Sequence, residues 1–204
     1  MKPLYYIAKG ISFIFSPIIV PFYCLILAFF ITPIAYAPLN VRLYSLAILF
    51  ALTFIIPVLG IALLYRFKKI EGLGLNRRSD RPLPYIMGMI CYFIAFIFLS
   101  HISAPMWLLM FVLGGILAVA VNTAVNYRWK ISGHMAAMGC ATCLIFYLQA
   151  EDLSQLSLQW WTIGIVLLSG LVGSSRGLLD RHTLPQITLG YFNGLLSTAI
   201  MLCF

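Results

Sequence analysis

The chain has 204 residues, of which 63% are apolar and 9% charged, and its mean hydropathy is +1.03. A water-soluble domain of this size could not hide so much apolar surface in one core, so lipid is the solvent and a soluble enzyme is excluded. The formal net charge of +8, from 13 Lys and Arg against 5 Asp and Glu, sits in short loops beside apolar runs, which points to bilayer orientation and anionic head groups rather than to nucleic acid.

Several apolar stretches approach the roughly 20 residues needed to span about 30 Å of hydrocarbon, and the alternation of a β-barrel is absent. Helices are then the way to satisfy the backbone in lipid. The expectation is an all-α, polytopic transmembrane helix bundle with six or seven membrane helices, forming a single domain over residues 1–204. Seven apolar segments mark it: Ile11 to Pro33, Leu43 to Tyr65, Tyr85 to Leu99, Met106 to Val125, His134 to Leu148, Trp160 to Gly173 and Gln186 to Phe204.

The first segment exceeds the 7 to 15 apolar residues of a secretory signal, and Pro38 follows the Ala35-Tyr36-Ala37 that would be the cleavage site, so it reads as a membrane helix kinked at Pro17 and Pro21. Tyr85 to Leu99, His134 to Leu148 and Trp160 to Gly173 are short for a span and call for extension by their flanks or for tilted, partly re-entrant elements. Gly190 and Gly194 form a small-xxx-small pair expected to pack against another helix. Cys24, Cys91, Cys140, Cys143 and Cys203 all lie in apolar segments, where they act as small hydrophobes, the Cys140-x-x-Cys143 pair included.

If the seven segments cross, the N-terminus and the loops near 66–84, 126–134 and 174–186 share one face and hold nearly every charge. The other face has Arg42, the His101 turn, and the turn with Glu151 and Asp152. The three loops contain Asn76-Arg77-Arg78-Ser79-Asp80-Arg81-Pro82, Lys130-Ile131-Ser132-Gly133-His134, and Ser175-Arg176 followed by His182. Taken singly, the arginines read as topogenic charge, Ser132 as a helix N-cap and the histidines as interfacial polar residues. Together they place guanidinium groups, a helix N-terminus and two imidazoles on one face. That combination suits phosphoryl transfer, because the negative charge on the equatorial oxygens can be clamped by Arg forks and backbone N–H groups. Arg81 and Arg176 are the natural clamps. A helix capped at Ser132 would aim free N–H groups at the anion, with Gly133 allowing close approach. One histidine could attack phosphorus while the other protonates the leaving oxygen.

This ordered set, Arg81-Pro82, Ser132-Gly133-His134 and Ser175-Arg176 with His182, resembles the three motifs of the type 2 phosphatidic acid phosphatase superfamily, and in particular a subgroup of small bacterial membrane proteins. The resemblance covers Arg81 to about Gly194. It implies a metal-independent lipid phosphatase with a phosphohistidine intermediate and no cofactor. Carried over by position, His182 is the nucleophile, His134 the general acid and later the activator of water, and Arg81, Ser132, Gly133 and Arg176 the phosphate cradle. The first-motif Lys position is Gly74, for which Arg77 or Arg78 could supply charge. Ile131 replaces Pro, and Gln186 stands where a carboxylate is expected. With Oε1 accepting from Nδ1–H of His182, Gln186 would leave Nε2 bare, provided the helix turn brings residues four apart onto one face across Pro185.

The expected partners are a lipid phosphate substrate and membrane lipids, with no nucleic acid. Candidate substrates are a polyprenyl diphosphate, phosphatidic acid, phosphatidylglycerol phosphate and a lipid A phosphate. A catalytically silent lipid-phosphate binding or transport protein is the alternative, and haem ligation by His101, His134 and His182 a weaker one. The expected location is the bacterial inner membrane. Lys2, Lys9, Lys68 and Lys69 match no motif and outnumber Arg42, so charge favours a cytoplasmic active face, whereas the resemblance implies an outward one.

Overall fold

The computed structural model describes residues 2–203, which form helices and turns with no strand among them. Met1, the side chain of Lys2 and the expected end of the last segment at Phe204 lie outside the described residues. The expected first helix is two helices. α1 spans Lys2–Ile14 and α2 spans Val20–Ile31. Pro17 has no N–H to continue α1, and Pro21 sits in the first turn of α2, where a missing donor costs nothing. At 12 residues α2 is about 18 Å long.

After a short 3-10 turn, α3 (Leu39–Phe50), a π-helical turn (Ala51–Ile55) and α4 (Ile56–Arg66) run on as one 28-residue helix. Pro57 explains the π turn: its ring would strike the carbonyl of residue 53 in a regular helix, and the turn widens so that the Ile56 amide bonds Ala51 instead. α5 (Pro82–His101), α6 (Met106–Asn126), α7 (Gly133–Ala150), α8 (Gln159–Leu178) and α9 (Leu184–Leu202) follow. The three segments that looked short are extended by their flanks to 20, 18 and 20 residues.

Among the described residues, four helices are long and apolar enough to cross a membrane: Leu39–Arg66, Arg78–His101, Met106–Asn126 and Gln159–Leu178. α7 and α9 can be less apolar because they contact protein. Met138, Leu144 and Leu148 of α7 are fully buried. A Cβ on Gly194 would fall inside the Ala136 carbonyl, one on Gly139 inside the Tyr191 carbonyl, and one on Gly190 would lie 2.6 Å from the Ser132 oxygen. The Gly190/Gly194 pair therefore brings two backbones together, as expected of small residues in lipid.

Hydrogen bonds identify the two ends of the bundle. The Gln155 amide, in the turn after α7, donates to Ile31 at the end of α2, at 2.8 Å. At the other end lie the close of α4, α6 and α8 and the start of α5, α7 and α9.

Candidate active site

Three loops meet at that second end because side chains of one hold the backbone of the next. In the first loop, Arg78 to Asp80 form a 3-10 turn. Asn126, ending α6, donates Nδ2 to the Arg78 carbonyl at 3.0 Å, and Arg78 returns NH1 to the Arg128 carbonyl at 2.6 Å. Buried Asp80 accepts the Glu71 amide at 3.3 Å and pins the start of the loop. Arg81, 6% exposed, turns inward, giving Nε to the Leu75 carbonyl at 3.0 Å and NH1 to the Ile131 carbonyl at 2.8 Å.

The second and third loops are joined by backbone, the Ser132 amide donating to the Gln186 carbonyl at 3.2 Å. Ser132 caps α7, its Oγ accepting from the Met135 amide at 3.4 Å. Gly133 follows with little room: a Cβ there would lie 3.3 Å from the Tyr85 hydroxyl.

His182 lies before α9, outside it. Thr183 and Gln186 form a capping box, so the Gln186 side chain folds back and its Oε1 accepts the Thr183 amide at 3.3 Å. The same oxygen lies 3.2 Å from His182 Nδ1. This contact comes from the cap's reach back across Pro185, not from two residues sharing one helix face. A carbonyl oxygen only accepts, so Nδ1 carries the hydrogen and a neutral His182 has its free lone pair on Nε2.

Arg176 is in the last turn of α8, not in a loop as the sequence implied. It is 9% exposed, its NH1 donates to Ser12 Oγ of α1 at 2.5 Å, and its buried Nε has no partner. His134 Nε2 lies 3.0 Å from the Ser12 carbonyl and 3.3 Å from Ser12 Oγ.

The result is a cluster of cations in which, among the described residues, no carboxylate lies within ion-pair distance. Burial first, and then the charges of Arg81, Arg176 and Lys130, push His182 down from 6.5 to about 3, against the opposing pull of Gln186. Lys130 is lowered by burial and by Arg81, Arg176 and Arg181. Among the described residues the one ion pair is Arg77 with Glu71, on the exposed part of the first loop. Arg77 is therefore held away from the cluster, and Arg78 braces two loops. Of the residues expected to supply charge, the structure gathers Arg81 and Arg176 with His134 and His182, and Lys130 is near enough for its charge to act on His182.

Beneath the site, a cavity of about 160 Å³ opens between α2, α4, α5, α6 and α7. Leu75, Tyr85 and Gly133 form its upper wall, and Val112 and Phe111 lie at its other end. Gly88 and Gly115 also line it, and a Cβ on either would meet nothing within 4 Å. No three His, Cys, Asp or Glu side chains converge as a metal-ligand group among the described residues. His101 closes α5 at the far end of the bundle, so three histidines do not meet around one ring.

Sequence reasoning missed Ser12 and gave Lys130 and Tyr85 no role. Ser12 carried one signal, a lone hydroxyl four residues after Ala8 on the stripe where α1 is buried. No protein-family model matches the chain, and no curated protein or solved structure does.

Proposed function

We propose that this chain is a membrane phosphatase that hydrolyses a lipid phosphate or polyprenyl diphosphate through a phosphohistidine, as its resemblance to type 2 phosphatidic acid phosphatases implies. The observation that carries the reading is a cation cluster around His182 with no ion-paired carboxylate among the described residues, in which an amide oxygen 3.2 Å from Nδ1 orients the imidazole. The field of Arg81, Lys130 and Arg176 favours an anion, and the half-satisfied fork of Arg176 fits a tetrahedral oxyanion. Free N–H groups at the start of α7 add to the attraction. The adjoining apolar cavity supports a lipid over a soluble ester.

In this mechanism Nε2 of His182 attacks phosphorus and the bond from phosphorus to the leaving oxygen breaks. His134 gives that oxygen a proton. The substrate's own charge offsets the cluster and lets His134 hold the proton it donates. Water then attacks phosphorus as the bond from phosphorus to Nε2 breaks, His134 takes the water proton, and inorganic phosphate leaves with His182 restored. Gln186 keeps Nδ1 protonated throughout, the role a carboxylate would fill with more charge.

All seven elements from α2 to α9, counting α3 with α4 as one, cross the bilayer on this reading, with α1 at the interface. The site end carries Lys9, Arg66, Lys68 and Lys69 beyond its site residues, which favours the cytoplasmic side of a bacterial inner membrane. A carrier that binds lipid phosphate without turnover would use the same cradle, and replacement of the usual carboxylate by Gln186 favours it. Release of labelled phosphate from a lipid phosphate by the purified protein decides between them: release supports the phosphatase, and binding of the lipid with no release supports the carrier.

A further inference from the structure

α1 completes the site, and it does so with a residue that belongs to none of the three motif loops. Its buried stripe is Ala8 and Ser12, with Ile11 and Phe15 half-buried beside them. Leu4, Tyr6, Ile7, Phe13 and Ile14 are exposed on its other faces. Ser12 lies between two groups that the proposed reaction needs free. Its hydroxyl accepts from Arg176 NH1 at 2.5 Å, and its carbonyl faces His134 Nε2 at 3.0 Å. The carbonyl can only accept, so Nε2 of His134 carries a hydrogen and points it at Ser12.

Two neutral oxygens of one residue thus occupy the donors that two oxygens of a phosphoryl group would take. They do so incompletely, because Arg176 Nε is left buried without an acceptor. A charged oxyanion would bind the same donors more strongly than a hydroxyl and a carbonyl, and would reach the third. The link from α1 to α2 is the irregular Ser16-Pro17-Ile18-Ile19, a hinge on which α1 can shift within lipid without exposing apolar side chains to water.

We propose that Ser12 holds the place of the substrate phosphate: α1 keeps Arg176 and His134 oriented while the site is empty, and an entering anion displaces it. The proposal rests on the anion cradle described above. Turnover is not needed to test it.

The test is orthovanadate binding by the full-length protein in detergent, measured by calorimetry for the native chain, Ser12→Ala, Ser12→Thr and Ser12→Asp, together with amide hydrogen exchange of α1 with and without vanadate. Removing the competing hydroxyl should tighten vanadate binding roughly tenfold, since the bond lost from the empty site is one to a charged group. Ser12→Thr should bind as the native chain does, and Ser12→Asp, whose carboxylate pairs with Arg176, should bind at least about tenfold more weakly. Vanadate should speed exchange of the α1 amides in the native chain, a readout that does not depend on any variant folding. Weaker binding by Ser12→Ala, unchanged affinity in all three variants, or protection of α1 by vanadate would overturn the proposal, and so would a native chain that binds no vanadate. These results with no phosphate released from any lipid would leave the displacement of Ser12 standing and remove the phosphatase.

Discussion

The two ends of the bundle use the same backbone device and differ in what they hang on it. Ser103, after α5, and Asp152, after α7, sit in the left-handed region at φ 53° and 49°, and the next amides close the turns on Leu99 and Leu148. Asp180, after α8 at the site end, has φ 52° and its next amide closes on Arg176 in the same way. The far turns reverse the chain and close on their own helices, and the one after α7 also ties to the end of α2 through the Gln155 amide. The Asp180 turn delivers His182 into a cluster whose loops depend on one another through Arg78, Arg81, Asn126 and Ser132. A self-closed turn tolerates change, whereas loops that satisfy each other transmit it.

The largest contrast should come from the histidines. His182→Ala is expected to abolish phosphate release while leaving the chain folded, and His134→Ala to do nearly the same, because each removes a bond-making or proton-transfer step. His101→Ala, at the far end, should act as the native chain does. Assays of the three variants side by side would break the comparison if His101→Ala were the inactive one.

Arginine comes next. Arg176→Lys should lose about 100-fold or more in kcat/KM with little change in melting temperature, since an ammonium cannot reproduce a fork aimed at an oxyanion. Arg81→Lys should lose activity and also stability, because Arg81 holds the carbonyls of two loops. Arg42→Lys, whose guanidinium stands over the Phe30 ring at the other end, should change neither. Activity and thermal unfolding measured on all three separate these outcomes.

Gln186 sharpens the comparison through pH. With His182 lowered to about 3, its protonation should not limit kcat/KM until well below its ordinary 6.5. A carboxylate favours the imidazolium, so Gln186→Asp should retain activity and move the acidic limb upward. Gln186→Leu, which cannot accept from Nδ1, should lose most of the rate. Coincident pH profiles for the native chain and Gln186→Asp would mean that this contact does not set the state of His182.

The smallest effect concerns packing beneath both ends. Gly194→Ala forces a methyl group against the Ala136 carbonyl and should cost about 1–3 kcal/mol of stability, read as a lower melting temperature. It should shift the unfolding of both ends together.

Much of the helical character was legible because lipid imposes one rule on every span, and apolar length expresses it directly. The break at Pro17 was misjudged as a kink because sequence does not say whether neighbours will bridge a lost hydrogen bond. Arg81, Arg176, His134 and His182 were legible as polar residues that would share one end of the bundle, since Arg and His near apolar runs are costly and few. The division of labour among cations was not, because Arg77 pairs with Glu71 on the exposed part of its loop while Lys130 comes from a different loop. Ser12 was hidden by distance, 122 and 164 residues from its partners. The His182–Gln186 pairing was anticipated for an incomplete reason, because the capping box and not the helix repeat brings the two together.

In the proposed mechanism His182 becomes covalently phosphorylated. The direct measurement is an acid-free quench of purified protein with a lipid phosphate labelled on phosphorus, followed by mapping of the labelled peptide. Label is expected on Nε2 of His182, labile to acid, stable to alkali and absent from His182→Ala. Phosphate release that proceeds at the native rate in His182→Ala, or label that maps to any other residue, would contradict it.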